Sequence, residues 1–131
     1  MSMTDPIADM AARLRNASVI LEPYVEIPYS RFKENILKVL KEEKYVSDWE
    51  LVDSDGKKYI RVHLLYINEK PRITSISKVS KPGRRVYVSL DDIKKMRHVS
   101  GIMVLSTPRG VISGKKAMEI GTGGELILTI G

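Results

Sequence analysis

The stretch Val104-Leu-Ser-Thr-Pro-Arg-Gly-Val-Ile-Ser-Gly-Lys-Lys-Ala-Met-Glu-Ile-Gly-Thr-Gly-Gly-Glu125 decides how this chain is read. An apolar run, Ile102 to Leu105, delivers two hydroxyls, Ser106 and Thr107, into a turn set by Pro108 and Gly110. Ser113 predicts the cap of a short helix, and Gly121 its left-handed stop. A second turn, Gly121 to Gly124, then delivers a carboxylate, Glu125, at the start of the last apolar run, Leu126 to Ile130. Two tight turns therefore offer small polar groups and bare backbone, each supported by a strand. That arrangement suits hydrogen bonding to a flat polar partner approached closely by the main chain.

Upstream, the chain reads as basic and mostly β. Ser80-Lys-Pro-Gly-Arg-Arg85 is a basic Pro-Gly turn, followed by a short strand, Val86 to Val88. Ser89 with Asp92 predicts a capping box for a brief helix through Met96. Gly101 to Leu105 predicts a strand. The N-terminal half has a different character. Thr4 or Asp5 predicts an N-cap with Pro6 in the first turn, and Ile7, Met10, Leu14 and Ala17 recur at helical spacing. Val19 to Ile27 reads as a strand broken at Pro23. Ser30 caps a second helix with Phe32, Ile36, Val39 and Leu40 as its apolar stripe and Arg31, Lys33, Lys38 and Lys41 outside it. Tyr45 to Val52 and Lys58 to Ile67 read as strands joined by the turn Asp53-Ser-Asp-Gly56. Asn68 to Arg72 reads as a linker. The expectation is an α+β chain of two small lobes. Residues 1–70 form a helix-strand-helix-strand-strand lobe, and residues 71–131 a mainly β lobe with a short helix.

Charge separates the same halves. Residues 1–70 carry a net −1 and residues 71–131 a net +7, within a total of +6 over 131 residues. No acidic residue falls between Glu69 and Asp91, whereas Lys70, Arg72, Lys78, Lys81, Arg84 and Arg85 all do. A one-sided basic half points to a polyanionic partner. The chain has no cysteine, which excludes disulfides, thiolate catalysis and zinc–thiolate sites and fits a reducing compartment. No apolar run approaches the length of a membrane span, and the N-terminus lacks the basic-then-apolar pattern of a secretory signal.

The sequence offers little to an enzyme. Its two histidines, His63 and His98, have no third ligand or carboxylate at a telling spacing, so neither metal nor cofactor is expected. Ser106 lacks the base and orienting group that a nucleophile needs. Gly121-Thr-Gly-Gly matches neither a Walker loop nor a dinucleotide loop. The basic turn Lys81 to Arg85 beside Tyr87, by contrast, combines phosphate contacts with one ring for stacking, a signature of RNA binding. A carboxylate in a basic lobe cannot serve phosphates, so Glu125 is expected to accept from a base amino group or to pair locally with arginine.

Four segments also carry a resemblance. Thr4-Asp-Pro-Ile-Ala-Asp-Met with Arg15-Asn-Ala, Val79-Ser-Lys-Pro-Gly-Arg-Arg-Val-Tyr, Leu105-Ser-Thr-Pro-Arg-Gly-Val and Gly121-Thr-Gly-Gly-Glu-Leu occur in this order over nearly the whole chain. Together the segments resemble the S-eight family of bacterial small-subunit ribosomal proteins. The resemblance implies a cytoplasmic, non-catalytic protein that binds the central domain of small-subunit ribosomal RNA, at an irregular region of a helix, early in assembly. It also implies packing against neighbouring ribosomal proteins including the S-five protein. A further implied reading is repression of the protein's own messenger RNA through a similar structure. The implied RNA contacts fall on Tyr87, Ser106, Thr107, Arg109, Gly110, Gly123, Gly124 and Glu125. Pro108 stands where the family often has serine, and its ring offers neither hydroxyl nor N–H. Lys81, Arg84 and Arg85 join these contacts as phosphate ligands, and Ser30, Arg31 and Lys33 add contacts from the start of the second helix.

With no heptad pattern, no cysteine and a basic surface that repels itself, the free chain is expected to sediment as a monomer. A stable dimer formed without RNA would contradict this.

Overall fold

The computed structural model describes residues 5–96 and 101–131. Thr4 and His98 lie outside the described residues. The chain is an α+β protein that divides into two compact units. One is Asp9–Thr74; the other is Ser75–Gly131 together with residues 5–8.

The first elements follow from caps and stripes. Helix α1 (Pro6–Val19) starts at Asp5, whose carboxylate accepts from the Ala8 N–H at 3.1 Å, and buries Ile7, Met10, Leu14 and Ala17. The apolar run after it is not a continuous strand. The Glu22 N–H bonds to the Ala17 carbonyl and the Leu21 N–H to that of Ser18, with Leu21 left-handed at φ 61°, so the helix takes Val19 and stops in a Schellman turn. Strand β1 (Tyr24–Pro28) begins only after Pro23. Helix α2 (Arg31–Glu42) is capped by Ser30, whose hydroxyl accepts from the Lys33 N–H at 3.1 Å. Ile36, Val39 and Leu40 are buried as the spacing predicts, and so is Leu37, while Phe32 is half-buried.

Strands β2 (Val46–Ser54) and β3 (Lys57–Leu64) are longer than their apolar runs, because the turn between them is only Asp55-Gly56. Both residues have positive φ, 50° and 75°, as a type I′ hairpin requires. The sheet order is β1-β3-β2, all antiparallel. Ile27, Ile60 and Val62 on one face are fully buried; Glu26, Arg61 and His63 on the other are not. The predicted single strand to Ile67 breaks after Leu64. Tyr66–Ile67 (β4) pairs instead with Lys70–Pro71 (β5) around a second left-handed pair, Asn68 and Glu69. The stretch read as a linker is thus largely this small hairpin.

The other unit is built on strand β10 (Gly124–Ile130). β6 (Ile76–Lys78) and β7 (Tyr87–Val88) lie along one edge of it, at its end and its start respectively. Along the other edge runs β8 (Ile102–Thr107), continued by β9 (Gly110–Ser113). The return strand β9 is absent from the sequence expectation. Thr107 pairs with Gly110, so the turn is only Pro108-Arg109, and four residues suffice for the strand. Helix α3 (Leu90–Met96) carries the capping box, with Ser89 N–H to Asp92 carboxylate at 2.9 Å and Asp92 N–H to Ser89 hydroxyl at 3.1 Å. Helix α4 (Gly114–Ile120) is capped by Ser113 and stopped by Gly121 at φ 75°. Ile93, Leu105, Ala117 and Leu126 form the core between these helices and the sheet. β10 has a bulge between Leu126 and Leu128: Leu126 faces Leu105 and Leu128 faces Val104, leaving Ile127 as the extra residue.

One placement is corrected. Lys33 is not on the outer face of α2 but buried, 4% exposed, with its ammonium donating to the Pro28 carbonyl at 3.0 Å. Its long apolar stem allows this, at the cost of desolvating the charge. Burial, aided by Arg13 and opposed by Asp9, holds the Lys33 pKa below its ordinary 10.5. A lysine whose folded pKa is depressed weakens the fold while charged and stops doing so as pH rises through the folded value toward the unfolded one. Lys33→Met keeps the stem and removes the charge. It is expected to be at least as stable as the parent at pH 7 in urea unfolding, with the difference shrinking as pH rises toward 10.5. A variant clearly less stable at pH 7 would show that the bond to Pro28 outweighs desolvation.

Candidate nucleic-acid interface

Strand register assembles the site. Glu125 on β10 faces Tyr87 on β7 on one side and Ser106 on β8 on the other, and Ser106 faces Val111 on β9. Directly paired residues on neighbouring strands point to the same face, so Tyr87, Glu125 and Ser106 form a row at ladder spacing. Their neighbours Leu126, Leu105 and Ile112 alternate onto the opposite face. There Leu126 and Leu105 are buried in the helix-packed core, with Ile112 partly buried against it. Sequence proximity would not have brought Tyr87 beside Glu125. The sheet does.

The row is close because glycine makes it so. A Cβ on Gly124 would lie 2.5 Å from the Ser106 carbonyl oxygen and 2.8 Å from the Thr107 methyl, so no larger residue lets β10 approach β8 there. A Cβ on Gly123 would run into the Val88 carbonyl. These glycines are used for backbone approach within the sheet.

Each polar group has a distinct state. Tyr87 is 71% exposed, far from the core placement usual for a strand tyrosine. The Ser106 hydroxyl has no hydrogen-bond partner among the described residues and is half-buried. The Thr107 hydroxyl, in contrast, is used inside its own turn, donating to the Gly110 carbonyl at 2.9 Å and accepting from the Arg109 N–H at 3.0 Å. Pro108 and Arg109 form the exposed tip of that turn, and Gly110 has φ 109°, which only glycine takes readily.

Glu125 is partly neutralised. One carboxylate oxygen, Oε2, accepts a short hydrogen bond from the Ser80 hydroxyl and lies 3.3 Å from the Arg85 guanidinium. The local arginine is therefore Arg85, from the basic turn, and not Arg109. Ser80 was not singled out in the sequence. It is fully buried, and its hydroxyl also accepts from the Val86 N–H at 3.2 Å. A lone serine before a turn gives no spacing signal; only the fold shows that it clamps the turn's base. Lys81 and Arg84 pair through both backbone bonds at 3.0 and 2.9 Å. The turn is thereby closed, and Lys81, Arg84 and Arg85 project from it into solvent.

Ser30, Arg31 and Lys33 belong to the other unit. Ser30 serves as the α2 cap and Lys33 is committed to Pro28, which leaves the exposed Arg31 as the outward cation of the three. Among the described residues no group of three or more His, Asp or Glu side chains could hold a metal ion, and no helix is long and apolar enough to cross a membrane.

Residues 5–130 match the family described as ribosomal protein S8. The chain is 46% identical to the small ribosomal subunit protein uS8 of Thermus aquaticus over 136 aligned residues, covering 98% of this chain and 99% of the relative. It is 45% identical to the uS8 protein of Dictyoglomus thermophilum over 130 residues, with 99% of both chains covered. The uS8 protein of Geobacter sulfurreducens is also 45% identical, over 131 residues and with the same coverage.

The clamp can be tested apart from any ligand. Ser80→Ala leaves the part-buried Val86 N–H without its acceptor and releases Glu125, and is expected to cost about 1–3 kcal/mol in urea unfolding. Arg85→Ala removes only a half-exposed ion pair and should cost less than about 1 kcal/mol. The reverse order would move the anchor of Glu125 to Arg85.

Proposed function

The chain belongs to the ribosomal protein S8 family, a family of structural ribosomal proteins and not of enzymes, and on that premise we propose that it is a constituent of the small ribosomal subunit that binds the central domain of the subunit's RNA directly. The observation that carries the RNA reading is the row Tyr87–Glu125–Ser106 on an open sheet face, flanked by Lys81, Arg84, Arg85 and Arg109.

The chemistry of the row suits unpaired bases. An exposed ring on a strand offers a stacking surface that is indifferent to base identity. The Ser106 hydroxyl can donate or accept, and Glu125 retains an oxygen, Oε1, with no partner among the described residues. These two groups can take a ribose 2′-hydroxyl or a base amino group, and the latter offers nothing to a donor-only cation. The three cations of the Ser80-clamped turn, with Arg109 at the tip of its own turn, hold the backbone. Phosphate contacts position the RNA; the row reads it. Thr107 acts indirectly in this reading, shaping the Pro108-Arg109 tip. A regular A-form duplex is read mostly by shape and backbone, whereas sequence-specific reading takes unpaired bases, which favours an irregular helix with splayed bases as the target. Arg31 extends the backbone contacts from the other unit. The neighbouring ribosomal proteins, the S-five protein among them, would pack around the particle-bound chain.

The test is a titration against a central-domain RNA fragment and a version with its irregular region regularised, at several salt concentrations. With roughly four to six phosphates neutralised, the parent should give a log–log salt slope of about −3 to −5. Ser106→Ala should cost the irregular RNA on the order of 1–3 kcal/mol and leave the slope unchanged. Arg84→Ala should weaken both RNAs alike and make the slope shallower by about one. Equal losses on both RNAs for Ser106→Ala would refute the row as the reader, and a parent slope near zero would refute RNA binding by this face.

A further inference from the structure

The end of α1 exposes what a helix normally buries. Val19, Ile20 and Leu21 are consecutive and 73%, 67% and 55% exposed, and Tyr24 is 44% exposed. Leu21 also sits in the left-handed conformation that a helix stop usually assigns to glycine or asparagine. Single exposed apolar residues are ordinary; four within six positions are not. Ile20 and Tyr24 also line one open recess of about 430 Å³ between the second half of α1 and β1, floored further by Ala17 and Val25.

The recess is held in shape. The Tyr66 hydroxyl donates to the Glu22 carbonyl, and the Leu64 N–H donates to the Pro23 carbonyl at 3.0 Å, so the turn between α1 and β1 is fixed from β3 and the hairpin beyond it. Its charge is also set. Arg13, the cation at its side, is taken by Asp9 at 2.9 Å and by the Glu26 carbonyl at 3.0 Å. The Glu26 carboxylate is taken by Arg61 at 2.8 Å. The Glu22 carboxylate has no partner among the described residues, so the uncompensated charge on the rim is negative.

RNA does not fit this surface. Phosphates are repelled by a free carboxylate, and RNA has no aliphatic groups to fill an aliphatic recess. We propose that the recess docks a segment of a basic neighbouring protein, with an aliphatic side chain anchored against Ile20 and Tyr24 and a lysine or arginine on Glu22. Charge complementarity selects this occupant, and the preformed recess lowers the cost of ordering it. The inference rests on the reading of the chain as a ribosomal constituent.

The experiment is reconstitution of small subunits from purified RNA and purified subunit proteins, with a photoreactive phenylalanine analogue at Ile20 or, as control, at the exposed Lys38 of α2. The expected result is a cross-link from position 20 to one ribosomal protein, at a segment carrying aliphatic residues and a lysine or arginine. Glu22→Lys should lower that cross-link by at least about fivefold, the equivalent of one lost ion pair near 1 kcal/mol. It should leave the affinity of the free chain for the RNA fragment unchanged. Cross-links to RNA or to a second copy of this chain, or none above the Lys38 control, would overturn the inference while leaving the RNA reading intact. Failure of the parent chain to enter the particle, or to bind the fragment, would overturn both.

Discussion

The site depends on one buried hydroxyl. Ser80 is fully enclosed, donates to Glu125 and accepts from the Val86 N–H, and so ties the basic turn to the first residues of β10. Without it the Glu125 carboxylate would be held only by its half-exposed ion pair with Arg85. With it, Glu125 keeps a fixed direction, and the turn that carries Lys81, Arg84 and Arg85 keeps a fixed distance from the row. A short neutral donor suits this place better than a second arginine, because it fixes the carboxylate without adding to the charge that Arg85 already neutralises.

Much of this fold was legible before the structure, and for identifiable reasons. Caps are local chemistry, and Asp5, Ser30, Ser89 with Asp92, and Ser113 all act where the sequence put them. Gly121 stops its helix as expected, because that conformation has a steric signature. Two of the misreadings share another cause. Leu21, Asn68 and Glu69 take positive φ without being glycine, and the turns they make were hidden inside runs that looked like strand or linker. All three are exposed, and of them only Asn68 is a residue that takes this conformation with any ease, so Leu21 and Glu69 give no local sign of a turn.

The candidate site divides along the same line. Which side chains were polar and small could be read directly, but Ser106, Thr107 and Glu125, expected on turns, lie on strands β8 and β10, and register brings Tyr87, Glu125 and Ser106 together from three separate stretches. The state of each group could not be read. Thr107 and Ser106 are adjacent hydroxyls in the sequence, yet one is consumed by its turn and the other faces away from the helix-packed core without a partner among the described residues. Lys33 belongs to a basic cluster on paper and to the interior in fact, since a four-carbon stem can lie along apolar neighbours while its tip finds a carbonyl. Hydrogen-bond occupancy is a property of the folded neighbourhood, so a list of polar residues overstates how many are available to a ligand.

The bulge in β10 acts as a phase shift. A regular strand assigns alternate residues to alternate faces along its whole length, so any change of register at one end is felt at the other. Here the extra residue, Ile127, resets the alternation midway. Glu125 and Leu128 consequently share the face that Ser106 and Val104 occupy on β8, one pair polar and the other fully buried or nearly so. A single seven-residue strand can therefore be hydrophilic at its start and apolar at its finish on the same side. The two ends are free to vary under separate demands, the first answering to whatever molecule it meets and the second to the interior it fills.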